Sequence, residues 1–148
     1  MTEPTVLVFF YGSYINRTVL REVELQPERF EVARLDGYDI SIGPLANVHE
    51  APGKVVWGVL ASATQDELDR LYAHARNVLG GVYEPRLVPV STKSGTEAAL
   101  CYVADSLPEA PASADYVGRI VDPGRELGFP DDYIEHLKSF LPATEEGS

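Results

Sequence analysis

The 148-residue sequence predicts an α+β fold: a small, partly closed sheet of about six strands with two to four helices packed outside it. Three observations carry this. The run Val6-Leu7-Val8-Phe9-Phe10-Tyr11 is apolar throughout and ends abruptly at Gly12-Ser13-Tyr14. It is too short for a membrane span and too apolar for an exposed edge, so it reads as a strand buried on both faces. Val55 to Ala61 (VVWGVLA) is a second strand of the same kind. Finally, strand patterns crowd the first part of the chain, and the last third turns helical.

The elements follow in order. Asn16 caps a short helix carrying Val19, Leu20 and Val23 on one side, and Pro27 interrupts it. Phe30, Val32 and Ala33 open an extended stretch to Leu35. Asp36-Gly37 is a hairpin signal, after which Tyr38, Ile40 and Ile42 alternate with polar residues. Gly43-Pro44 breaks that strand, Leu45 to Val48 is a short apolar piece, and Ala51-Pro52-Gly53-Lys54 reads as a turn. Thr64 and Glu67 form a capping-box pattern. It opens a helix with Leu68, Leu71, Tyr72, Ala75, Val78 and Leu79 on one face, stopped by Gly80-Gly81.

Val82 to Val90 is extended, with Pro85 and Pro89 implying an edge strand or a bulge. Lys93 to Thr96 is a turn, and Ala98 to Val103 is a strand with Leu100 and Tyr102 on one face and Cys101 on the other. Asp105 to Ser113 is a surface loop. Ala114 to Val121 reads as a helix that Pro123-Gly124 stops or kinks. Pro130 opens a last helix with Ile134, Leu137 and Leu141. Residues 1–148 form a single domain, and the tail from Thr144 is expected to be disordered.

Net charge is −11 with only 12 Lys and Arg, which disfavours nucleic-acid and anionic-membrane surfaces as partners. Cys101 is the sole cysteine, so no intramolecular disulfide forms, and a cysteine-based metal site is not expected. His49, His74 and His136 are far apart and form no local ligand motif. No segment reaches the ~18 apolar residues of a transmembrane helix. The N-terminus lacks the basic start of a secretory signal, which makes the cytoplasm the expected compartment.

The chemistry gathers at the first strand's end. A glycine there lets the chain turn sharply and lets a ligand approach closely. The amides of such a turn can cluster as a small anion-binding nest. Tyr11, Gly12, Ser13 and Tyr14 are therefore the candidate small-molecule cradle.

The ordered set of motifs resembles the γ-glutamylcyclotransferase-like (AIG2-like) family. The set comprises Tyr11-Gly12-Ser13, Val32 to Leu35, Ala51-Pro52-Gly53 with Val56-Trp57-Gly58, Leu68 to Leu71, Gly81-Val82-Tyr83 and Gly128 to Ile134. The resemblance covers roughly residues 6–141 and implies a small closed or partly open β-barrel flanked by helices. It implies that the Tyr11–Tyr14 turn holds a γ-glutamyl group, with Tyr83 and Tyr102 lining the pocket. No cofactor is implied, the partner is a small-molecule ligand or substrate, and a homodimer is compatible with it.

The family pattern Leu-Asp-x-x-Glu-Gly supplies a glutamate that deprotonates the substrate's α-ammonium. The freed amine attacks the γ-amide carbonyl, and 5-oxoproline leaves. This sequence departs from the pattern twice. Tyr14 stands where the family has Asn, and the run from Leu68 to Arg76 sets Ala75 at the glutamate's place. An alanine transfers no proton, and loss of a positioned acid/base typically costs ~10²–10⁴ in rate. Glu50, His49 and Glu84 are the candidate replacements, with His74 beside Ala75 but rotated ~100° around the helix. Two functions follow. One is cyclisation of a γ-glutamyl or related amine/amide compound by a non-standard acid/base. The other is a catalytically silent binding or accessory protein of a biosynthetic pathway.

Overall fold

The structure, a computed structural model, describes residues 4–25, 27–43, 45–76, 82–104, 107 and 112–141. In chain order the elements are β1 (Thr5–Phe10), a 3₁₀ turn (Ser13–Ile15), α1 (Arg17–Glu22), β2 (Phe30–Ile42), β3 (Ala46–Thr64), α2 (Gln65–His74), β4 (Glu84–Thr92), β5 (Gly95–Val103), α3 (Ala114–Leu127) and α4 (Asp131–Lys138). The five strands close into a barrel in the order β1-β3-β2-β4-β5. The ring is sealed by a parallel pairing of Val8 with Leu100 and Phe9 with Cys101, while the other neighbours run antiparallel. Val8, Phe9 and Phe10 are buried, as expected of a strand with partners on both sides.

Two expected turns are not turns. Asp36-Gly37 lies inside β2, and Ala51 to Lys54 lies inside β3. Pairing passes from Asp36↔Val55 directly to Tyr38↔Glu50, so the two segments face one another as one irregularity in a long ladder. Gly37 and Gly53 take the positive φ it requires, +84° and +86°. Glycine-containing turn chemistry serves a bulge as well as a reversal, and only the partner strand decides between them. The reversal comes between the end of β2 at Ile42 and the start of β3 at Ala46, and Gly43 N–H bonds the Leu45 carbonyl. Merging these pieces gives five strands.

β4 resolves the proline question differently. Its register with β5 is unbroken from Glu84↔Val103 to Thr92↔Gly95, so Pro85 marks no bulge. Toward β2 the strand has one described pair, Arg34↔Ser91, and this thin seam accommodates residues without an N–H.

The helices follow their caps. Asn16 accepts from Thr18 N–H at 2.9 Å. The Thr64–Glu67 box is complete, with Thr64 N–H donating to Glu67 at 2.8 Å and Glu67 N–H to Thr64 Oγ1 at 3.1 Å. Thr64→Ala removes one side of it and is expected to lower the unfolding free energy by ~1 kcal/mol in a urea titration. Pro123-Gly124 does not stop α3, which continues to Leu127; Gly128, at φ +87°, ends it instead. Gly124 leaves room for the Phe129 ring, because a Cβ there would lie 2.9 Å from it. Val78, Leu79, Gly80-Gly81, most of the 105–113 loop and the tail lie outside the described residues. No helix among the described residues is long and apolar enough to cross a membrane.

Candidate functional site

Where β1 leaves the barrel, the chain turns at Gly12 into the Ser13–Ile15 3₁₀ turn. Ile15 N–H bonds the Gly12 carbonyl at 3.1 Å, and Asn16 N–H bonds the Ser13 carbonyl at 3.2 Å. Gly12 has an ordinary negative φ, so room is what it supplies. A Cβ at this position would come within 3.1 Å of Ala46 Cβ and 3.3 Å of the Tyr116 hydroxyl.

Around this turn six tyrosines converge from separate elements. Tyr11 and Tyr14 flank the glycine, Tyr72 comes from α2, Tyr83 precedes β4, Tyr102 ends β5, and Tyr116 comes from α3. Ser13, Ala75, Phe10, Leu45 and Ala46 complete most of the lining. Tyr72 is the hub. It stacks on Tyr102 at 3.8 Å between centroids, meets Tyr14 edge-on at 5.7 Å, and lies 6.0 Å from Tyr83. With these rings in place, the cavity, which is half open to solvent, measures about 40 Å³. It adjoins a larger groove of about 470 Å³ between α1, α2 and α3, which shares Ser13, Tyr14, Leu45 and Tyr116 and adds Glu22, His74, Asp115 and Arg119.

Most of the phenols are tied to main chain. Tyr11 donates to the Tyr102 carbonyl at 2.6 Å, Tyr14 to the Leu71 carbonyl at 3.2 Å, and Tyr83 to the Ala46 carbonyl at 2.5 Å. The Tyr116 oxygen accepts from Ala46 N–H at 3.1 Å and is also faced by the backbone and side chain of Ser13. Burial pushes the pKa of all six above the usual phenol value. All therefore stay neutral at physiological pH.

The sequence-predicted cradle residues Tyr11, Gly12, Ser13 and Tyr14 do line this cavity, together with Ala75, Tyr83 and Tyr102. The candidate acid/bases do not. His49 and Glu50 are exposed on β3, opposite Asp39 and Tyr38 in the ladder. Glu84 is exposed, and the unbroken register leaves no bulge to turn it inward. His74 lines the groove only. Cys101 is fully buried, and burial pushes its thiol up to about 12, so it is inert. Among the described residues the cavity has no carboxylate and no imidazole in its lining, and no group of three metal-ligating side chains occurs.

Sequence reasoning missed Tyr72 and Tyr116 as lining residues. A signal existed for the first. Counted strictly from Leu68-Asp69, the Leu-Asp-x-x-Glu spacing ends on Tyr72, one turn before Ala75, and both line the cavity. For Tyr116 no local signal exists, because α3 joins the site only through tertiary packing.

A family model described as the AIG2-like family matches residues 55–137 of this chain. Human gamma-glutamylcyclotransferase is 28% identical over 158 aligned positions, covering 98% of this chain and 84% of that protein. Mouse gamma-glutamylcyclotransferase is 31% identical over 106 positions, covering 71% of this chain and 56% of that protein. A solved structure of a gamma-glutamyl cyclotransferase matches with a TM-score of 0.79 at 28% identity, covering 91% of this chain and 87% of that one.

Proposed function

Because the chain belongs to the AIG2-like family, we propose that it binds a small γ-glutamyl or related amine or amide metabolite at the Tyr11–Tyr14 turn, and holds it without cyclising it through a carboxylate. Its similarity to gamma-glutamylcyclotransferases supports a related function. One observation carries the binding reading: a tyrosine-rich lining that, among the described residues, contains no carboxylate and no imidazole.

The chemistry explains why that matters. Cyclisation starts from an ammonium, which has no lone pair and must lose a proton before it attacks. A neutral phenol does not take that proton. A phenolate would, but burial makes phenolate costly here. Glu50, His49 and Glu84 lie outside the cavity, so acid/base chemistry by any of them requires a rearranged site.

The experiment is a thermal-shift panel of γ-glutamyl dipeptides and γ-glutamyl amines. A true ligand at 100 times its dissociation constant is expected to add ~2.7 kcal/mol of stability. The double variant Glu50→Gln/Glu84→Gln should keep that shift. Ser13→Val should reduce it, since Ser13 belongs to the cavity and its hydroxyl faces the Tyr116 oxygen. No shift with any member of the panel would defeat the reading.

A further inference from the structure

We propose that Asn47 is the positioning residue of this site: its side-chain amide braces together the two segments that hold Tyr11, Tyr83, Tyr102 and Tyr116 around the cavity. The assignment rests on the binding reading above for its ligand and on geometry for the brace itself.

The barrel has a seam at this end. β1 lies between β3 and β5 in the ring, and it stops at Phe10. Past that point Asn47, near the start of β3, reaches Ala104, the residue after β5. Asn47 Nδ2 donates to the Ala104 carbonyl at 2.8 Å, and Ala104 N–H donates to Asn47 Oδ1 at 3.0 Å. Val48 N–H donates to the same oxygen at 3.0 Å. A side-chain amide offers a donor and an acceptor side by side, so this pair reproduces a main-chain rung between strands that are not neighbours in the ring. Exchanging Oδ1 and Nδ2 would set donor against donor, so the partners fix the amide's orientation. Ala104 is only 4% exposed, and its main-chain groups need such a partner.

Both ends of the brace carry cavity walls. One residue before Asn47, Ala46 donates its N–H to the Tyr116 oxygen at 3.1 Å and accepts the Tyr83 hydroxyl at 2.5 Å. Its Cβ occupies the space that Gly12 leaves open. Two residues before Ala104, the Tyr102 carbonyl accepts the Tyr11 hydroxyl at 2.6 Å, and the Tyr102 ring joins the lining. Four of the six tyrosines are therefore tied to the two segments that Asn47 joins. Other side chains do not replace it. Aspartate keeps the acceptor but turns a carboxylate on the Ala104 carbonyl, and alanine has neither group.

The test is nitration by tetranitromethane, read tyrosine by tyrosine by peptide mass spectrometry, on the wild type, Asn47→Ala, Asn47→Asp and Thr64→Ala. In both Asn47 variants Tyr83 and Tyr116 are expected to react at least roughly tenfold faster, because an unpaired buried amide or carbonyl makes local opening easier by about that factor. Tyr133, buried beside the Trp57 carbonyl at 3.4 Å, is the internal reference and should not change. Thr64→Ala loosens a remote cap and should leave all three rates unchanged. A rise shared by Tyr133 makes Asn47 a general stabiliser and overturns the assignment. Unchanged Tyr83 and Tyr116 in either Asn47 variant overturn it as well. A calorimetric titration with γ-glutamyl-alanine separates this from the binding reading: Asn47→Ala should bind it about tenfold more weakly than the wild type, and Thr64→Ala should match the wild type. Equal affinity in Asn47→Ala counts against the positioning role. No binding by the wild type counts against the binding reading and leaves the nitration result to decide the brace.

Discussion

Raising the pH past about 10 is expected to unfold this protein cooperatively, with its buried tyrosines ionising together and not one by one. Tyr11, Tyr14, Tyr72, Tyr83, Tyr116 and Tyr133 all have folded-state pKa values raised by burial. In the unfolded chain each titrates near 10. Below that pH both states are protonated and the shifts change nothing. Above it the unfolded chain releases protons that the folded one retains, so stability falls as pH rises. Each such tyrosine removes up to ~1.4 kcal/mol per pH unit. Six acting together exhaust a typical stability of ~5–15 kcal/mol within about one to two units. Phenolate absorbance and far-ultraviolet circular dichroism, followed in one alkaline titration, should change at the same pH. Gradual ionisation near pH 10 with the dichroism intact would show that the cage is open to water.

Gly58→Ala is expected to cost about 3 kcal/mol, measured by urea unfolding. Gly58, on β3, pairs with Ala33 of β2 beside the end of β1. A Cβ there would stand 2.1 Å from the Phe10 carbonyl oxygen and 2.9 Å from the Phe9 ring. The first of these is backbone, so β1 itself must move, and β1 leads into the Tyr11–Tyr14 turn. Any ligand-induced thermal shift should therefore weaken as well. Gly37→Ala is the contrasting case. Nothing lies within 4 Å of its Cβ, so its cost is only that of a positive φ, ~1–2 kcal/mol. Equal costs for the two would mean that close approach is not what Gly58 supplies.

Local signals that act alone were legible in the sequence. The Thr64–Glu67 box, the Asn16 cap and the apolar run of β1 are each settled by residues within a few positions. Signals that depend on a partner strand were not. Asp36-Gly37 and Pro52-Gly53 carry the residues of turns, yet each lies opposite another strand and becomes part of a bulge. Pro123 sits inside α3 because Gly128, not the proline, supplies the left-handed residue that ends the helix. The turn at Tyr11–Tyr14 was legible because a buried strand that stops at Gly-Ser is a local feature. The ring of tyrosines around it was not. The cage is assembled from five segments far apart in the chain, and a tyrosine on a helix reads as core until its neighbours are known.

The central claim is a site that holds an amine-bearing metabolite and leaves it whole. The most direct test is to incubate the protein with a γ-glutamyl amine that stabilises it, and to quantify 5-oxoproline by mass spectrometry over many hours. The account predicts saturable binding with 5-oxoproline no higher than in buffer alone. Sustained release of 5-oxoproline with multiple turnovers, abolished by Tyr72→Phe or Ser13→Val, would contradict it and place the proton transfer within the tyrosine cage.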